Sequence, residues 1–411
     1  MMKNSQRTDL GILFLANSTI HMGRTYILPT ILTELSSDFF LSLFQLGGII
    51  TLIQAVEAIS MPISGHVSDR WSRSFSIPIS LLLYGFLLSL IGILGRRSFY
   101  IFIAALTFIG ILAGFYHTAA ISLILDLFDE RSRGKAQSIH SSGARIGSAI
   151  GPILVGVTFV ARRPWTDVYL VLSIPVLGIS LLLFLKRVGK SIEQSRANSN
   201  QTNNYKSPPL NFATTMLFRA LFLLTAVRAI GTILIEMISF ILPTYLTTQG
   251  YSQATAAFLF GWMAISGVLG VLFGGYFADR IGPLRFLMLA YAFQGVATTI
   301  LVVTSGTNMI FLSAFIFGIA TSTTFPAILS LLARYTSTYR RGMAYAMTGV
   351  LPATFRSIAP TIDGFLAETQ SMTQIFVLGI ALAFTNVTLM PLLKREEQQA
   401  RSITKNQDFK R

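Results

Sequence analysis

Runs of about twenty apolar residues recur along this chain from end to end, and that is the length one helix needs to cross the hydrocarbon core of a bilayer. No other feature restricts the fold so tightly. In lipid a backbone amide has no water to turn to, so only helices and closed barrels satisfy every one. A barrel would show short segments of alternating polarity, and the sequence has long unbroken runs instead. The chain therefore reads as an all-α integral membrane protein. Composition agrees: 52% of the 411 residues are hydrophobic and 12% are charged, against about 25% charged in an ordinary soluble domain.

Spans are predicted near 10–32, 43–63, 75–95, 99–125, 137–160 and 168–187, and again near 216–247, 254–277, 284–305, 308–333, 343–366 and 373–393. That gives twelve. Between the two sets, 188–215 is rich in Asn, Ser and Gln, carries Pro208-Pro209, and reads as a flexible linker. The expected organisation is an N-terminal six-helix bundle (1–187), a cytoplasmic linker (188–215), a C-terminal six-helix bundle (216–393) and a cytoplasmic tail (394–411).

The net charge of +15 would suggest nucleic acid in a soluble protein. Its distribution points elsewhere. With both termini on one side, that side holds 24 of the 32 basic residues, and the other holds Arg96, Arg97, Arg162 and Arg163. Positive loops stay in the cytoplasm, so both termini are expected there, in a plasma membrane such as the bacterial inner membrane. The expected partner is the bilayer, not nucleic acid. The absence of cysteine excludes disulfides. Four histidines without partner spacing argue against a metal site. No Gly-rich phosphate loop or nucleophile–base pattern stands out, so neither an enzyme nor a cofactor is expected. The first apolar run contains Arg24 and lacks a small-residue cleavage pattern, so no cleavable signal is expected.

The two sets of spans resemble each other. Ile27-Leu28-Pro29-Thr30 recurs as Ile241-Leu242-Pro243-Thr244. GHVSDR (65–70) is matched by GYFADR (275–280), Arg133-Gly134 by Arg341-Gly342, and Gly151-Pro152 by Ala359-Pro360. The offsets are 214, 210, 208 and 208 residues, in order and slowly drifting. A duplicated six-helix unit explains the series. Parallel repeats of that size are typical of transporters that rock about a midplane site.

The duplicated loop, the central linker and the twelve spans resemble the major facilitator superfamily, over nearly the whole chain. Its signature loop is matched by Gly65, Asp69, Arg70 and Arg73, with Ser72 where Gly is usual, and again by Gly275, Asp279, Arg280, Gly282 and Arg285. The resemblance implies a cytoplasmic latch in which Asp and Arg hold helix ends through charge-assisted bonds. As ordinary turn and positive-inside residues they would need no such role. In span five, Gly147, Gly151, Pro152 and Gly156 resemble the Gly-x-x-x-Gly-Pro-x-x-Gly-Gly element of the superfamily's proton-coupled exporters, with Val155 in place of one Gly. Small residues every four allow close helix contact, and the proline permits a bend. His117-Thr-Ala-Ala, with Arg133-Gly134-Lys135-Ala136 after it, resembles bacterial exporters of the fosmidomycin-resistance type.

Ionisable groups inside spans cost about 2.5–3.5 kcal/mol each at the bilayer centre on the insertion scale, so those retained usually serve a pathway. Here they are His21, Arg24, Glu57, His117, Arg145, Arg228, Glu236, Arg356 and Asp363. In the superfamily, spans one, four, seven and ten line the cavity. The resemblance thus implies substrate contact for His21, Arg24, His117 and Arg228, and proton coupling through Glu236, with Glu57 next. Glu57 and Arg145 could instead neutralise each other, leaving Arg145, Arg356 and Asp363 as further buried charges. The expected function is a secondary transporter, run as a proton-coupled exporter of a small anionic or zwitterionic molecule and acting as a monomer. The alternatives are a proton-linked importer of an organic anion, a lipid translocase and a non-transporting receptor.

Overall fold

A computed structural model describes residues 4–24, 26–70, 73–128, 132–188, 217–335 and 341–408. All regular structure among them is helical. The order is α1 (Asn4–Arg24), α2 (Ile27–Thr30), α3 (Leu32–Phe39), α4 (Leu43–Arg70), α5 (Arg73–Leu94), α6 (Phe99–Leu127), α7 (Arg133–Val160) and α8 (Thr166–Lys186). There follow α9 (Leu217–Thr248), α10 (Gln253–Ile281), α11 (Pro283–Val303), α12 (Thr307–Tyr335), α13 (Arg341–Thr369) and α14 (Met372–Asp408). The expected linker lies, Val188 apart, outside the described residues.

Ten of these helices, α4 to α12 and α14, are long and apolar enough to cross a bilayer. Their outer faces bear this out: Ile174, Leu185 and Val303 are 70%, 72% and 73% exposed, a pattern that water would penalise and lipid does not. The other two long helices, α1 and α13, coincide with the first and eleventh expected spans but fall outside that set. Each carries polar groups among its apolar residues: Asn17, His21 and Arg24 in the second half of one, Arg356 and Asp363 in the other.

The first span is also shorter than the sequence predicts. It ends at Arg24, Tyr26 leaves the helical region (φ −126°, ψ 10°), and a four-residue helix follows. Pro29 has no amide to bond the preceding turn. The same Ile-Leu-Pro-Thr stays within continuous helix at 241–244, where Pro243 lies inside α9. The tetrapeptide alone therefore does not decide the break. Elsewhere the punctuation is local: Ser98 caps α6 by accepting from the Ile101 amide, and Gly282 turns the chain at φ 90° before Pro283 starts α11.

By packing, the chain falls into two compact units, one of residues 1–203 with 242–265 and one of 204–241 with 266–411. Within the first, α1 packs on α7, α4 on α6, and α5 on both α6 and α8. The α1–α7 contact is made by backbone. A Cβ at Gly143 would stand 2.5 Å from the Phe14 carbonyl oxygen, one at Gly147 would strike the Ser18 carbonyl, and one at Gly151 would stand 2.5 Å from the Met22 carbonyl. Glycines four apart on α7 thus ride on carbonyls four apart on α1. Within the second unit α11 packs on α12 and α14 around Leu224, Val227, Phe286, Leu287, Tyr291, Leu331, Leu332 and Met390.

Each unit repeats one tether. The Tyr84 hydroxyl on α5 donates to the Ile20 carbonyl of α1 at 2.9 Å, and the Tyr291 hydroxyl on α11 donates to the Val227 carbonyl of α9 at 3.2 Å. A glycine makes room both times: a Cβ at Gly23 would lie 3.0 Å from the Tyr84 oxygen, and one at Gly231 would lie 2.7 Å from that of Tyr291.

Candidate functional site

The intramembrane charges form one cluster in each unit. In the first, Arg24 is the last residue of α1, where the helix dipole favours a cation, and it forms an ion pair with Glu57 of α4. Glu57 is 4% exposed and the Arg24 side chain 17%, so the pair is largely buried. Its partner is Arg24 and not Arg145, which corrects the alternative pairing drawn from sequence. One turn before Arg24, the His21 ring lies 5.2 Å from that of His117 on α6. Arg145 on α7 is within electrostatic reach of His21. The structure therefore brings His21, Arg24, His117, Glu57 and Arg145 together.

Three participants in this cluster escaped the sequence reading. Tyr116 donates from its hydroxyl to the Leu13 carbonyl at 3.1 Å, and the same oxygen lies 3.2 Å from His140 Nε2. The hydroxyl has one proton, so with that proton on Leu13 the imidazole must donate from Nε2. The Asn17 amide donates to the His140 carbonyl at 2.8 Å. His140 is buried on α7, and the signal was available: it precedes Gly143 by three, on the face that meets α1.

In the second unit, Glu236 on α9 faces Arg356 on α13 at 3.9 Å. Arg228 lies two turns before Glu236, within electrostatic reach of Tyr291 and Arg356. It has no ion-pair partner among the described residues. Asp363 stands two turns beyond Arg356, is 0% exposed, and has no hydrogen-bond partner on either oxygen among the described residues. Glu236 is its electrostatic neighbour.

Gly147 and Gly151 lie against α1, and a Cβ at Gly156 would come within 2.8 Å of the Phe258 ring. Pro152 lies inside α7. Of the expected latch, the side chains of Asp69, Arg70 and Arg73, with Gly65, lie outside the described residues. In the second copy Arg280 donates to the Tyr276 hydroxyl at 2.6 Å and covers that ring at 5.6 Å. Asp279 is exposed, Gly275 has open space around it and Gly282 makes the turn already described. On the sparsely charged side, Arg96 pairs with Asp38 at 2.9 Å and Arg163 with Asp167 at 2.8 Å, so two of its four cations are locally neutralised.

A sequence model of the Major Facilitator Superfamily matches residues 13–350 and, in a second placement, 235–410. A transporter of the same superfamily from Bacillus subtilis, itself uncharacterised, is 23% identical over 68% of this chain, which spans 66% of that relative's length. The cis,cis-muconate transport protein of Acinetobacter baylyi is 26% identical over 97% of this chain and 98% of its own. The fosmidomycin resistance protein of Escherichia coli is 28% identical over 44% of each chain. Among solved structures, a bacterial homologue of the human lysosomal transporter Spinster superposes with a TM-score of 0.79 over 97% of this chain and 99% of its own, at 16% identity. At that identity the likeness concerns the fold.

Proposed function

The chain belongs to the Major Facilitator Superfamily and is a multi-pass membrane transporter, and from its intramembrane charges we propose that it exports a small anionic or zwitterionic solute in exchange for protons. Arg228 carries this reading. It is a half-buried cation without an ion-pair partner among the described residues, while the neighbouring Arg356 already faces Glu236. A substrate carboxylate or phosphonate would supply the missing countercharge through charge-assisted bonds. In the first unit, Glu57 is engaged by Arg24. Glu236 then remains as the carboxylate that faces Arg356, at 3.9 Å, and protonating it would release that cation. The Glu236 carboxylate and a substrate anion would compete for Arg356, so the proton on Glu236 and the anion are linked through that cation, while the direction of exchange rests on the likeness to a resistance protein.

We read α1 and α13 as crossing the membrane too, because their polar residues lie among these clusters. That gives twelve spans in two six-helix repeats, with both termini cytoplasmic. The recurrent tyrosine tether supports the repeat, and the paired Arg96 and Arg163 support the orientation. Import of an organic anion is the second reading, favoured by the nearly full-length match to a muconate transport protein. The likeness to a resistance protein favours export.

Purified protein in oriented liposomes under opposite pH gradients, with fosmidomycin and cis,cis-muconate as probes, separates the two. Export predicts accumulation when protons flow against the probe. Glu236→Gln should keep probe exchange without a gradient and lose the response to it. A variant that still concentrates probe as the wild type does would remove Glu236 from the coupling step.

A further inference from the structure

We propose that Asp363 holds the exchangeable proton in the state described here, and that Arg356 is shared between Glu236 and Asp363 as that proton comes and goes. The proposal rests on the proton-coupled reading and adds to it a residue and a switch.

Asp363 is completely buried in α13, and neither oxygen has a hydrogen-bond partner among the described residues. An ionised carboxylate in such a place, without a donor or a cation against it, is among the most expensive arrangements a protein can hold, and the neutral acid avoids that cost. Its surroundings make the alternative form reachable. Arg356 lies seven residues earlier on the same helix, two turns or roughly 10 Å along the axis. The Arg356 Nε makes no hydrogen bond among the described residues, and its ion pair with Glu236 is a long one at 3.9 Å. A guanidinium held so loosely can be drawn along its own helix. Glu236 and Arg228 are the charged groups facing the site from α9. No titratable side chain occurs in α12 before Arg334 or in α14 before Lys394, so neither helix packed on α13 adds another within the span.

The exchange is then a closed cycle. Water reaching the site takes the proton from Asp363, the new carboxylate draws Arg356 away from Glu236, and Glu236 is left to accept a proton or to repel an anion from Arg228. Reprotonation of Asp363 from water reverses the steps. Two carboxyl groups and one arginine are needed, because buried carboxylates within electrostatic reach of each other resist being ionised together without a cation to share.

Infrared difference spectroscopy of the reconstituted protein tests this without a substrate. Wild type should show the carbonyl stretch of a protonated carboxyl group near neutral pH and lose it reversibly as the pH is raised. Asp363→Asn should abolish the band, Asp363→Glu should retain one, and Glu236→Gln should leave it in place. A band unchanged in Asp363→Asn overturns the assignment. A band that belongs to Asp363 but never responds to pH overturns the switch, since the acid would then be a fixed structural group. The coupled-transport reading is judged separately, by the response of the wild type to a pH gradient, so either can fail alone. Because asparagine copies the shape of the neutral acid, Asp363→Asn is expected to fold, and unfolding temperature checks that it has.

Discussion

Arg24 and Glu57 show what single residues on one helix reveal and what they conceal. Both stood out in the sequence as charges inside apolar runs, but their pairing did not, because helical periodicity says which face a residue occupies and not which helix that face meets. The sequence offered Arg145 as the neutralising partner of Glu57, and the structure pairs Glu57 with Arg24. Breaking a buried pair by removing one partner typically costs about 3–5 kcal/mol, while replacing both with apolar groups is often neutral. Glu57→Ala is therefore expected to lower the unfolding temperature sharply in detergent, and the double change Arg24→Met with Glu57→Leu to recover most of the loss. An equal loss in both would mean that the pair itself, and not the orphaned charge, holds the helices. Asp363 was equally visible as a buried charge. Its lack of a partner needed coordinates.

At the level of elements the sequence was most informative where the apolar runs were unbroken, and α5, α6, α8, α9, α11 and α12 begin and end within about two residues of their expected bounds, the usual scatter of helix ends. It misled at the first span, which stops at Arg24 because the turn at Tyr26 and Pro29 interrupt a run that hydropathy alone carries to residue 32. The glycines of α7 were legible as a packing stripe, but not their target. That target makes a sharp test. Gly147→Ala places a methyl group against the Ser18 carbonyl and 3.1 Å from His21 Cβ, and overpacking of this kind costs about 1–3 kcal/mol. Gly11→Ala has nothing within 4 Å to meet and should be neutral or stabilising by up to about 1 kcal/mol, through helix propensity. Thermal unfolding of the two variants side by side decides it, and similar losses in both would deny that α1 and α7 meet through backbone.

For the whole molecule, duplication was readable from four short matches, and the structure adds a fifth: a tyrosine on one helix bonded to a carbonyl on another, once in each unit. If the units are copies, Tyr84→Phe and Tyr291→Phe should cost alike, about 1 kcal/mol for one hydrogen bond. Unequal losses would argue that the tethers have diverged in role. Topology has a simple check, since the chain has no cysteine of its own. Single substitutions Arg97→Cys and Asn203→Cys should react with an impermeant maleimide from opposite sides in sealed cells, the first from outside. Labelling of Asn203→Cys from outside would sink the twelve-span arrangement. The contact of α1 with α7 has a mechanical consequence. Where the glycines of α7 meet the carbonyls of α1, two backbones touch at three successive turns, so neither helix can roll or slide there without one climbing over the other. They form a stiff beam. A force applied where His21 and Arg24 sit is transmitted along its full length, and Gly143 at one end must move whenever Gly151 does.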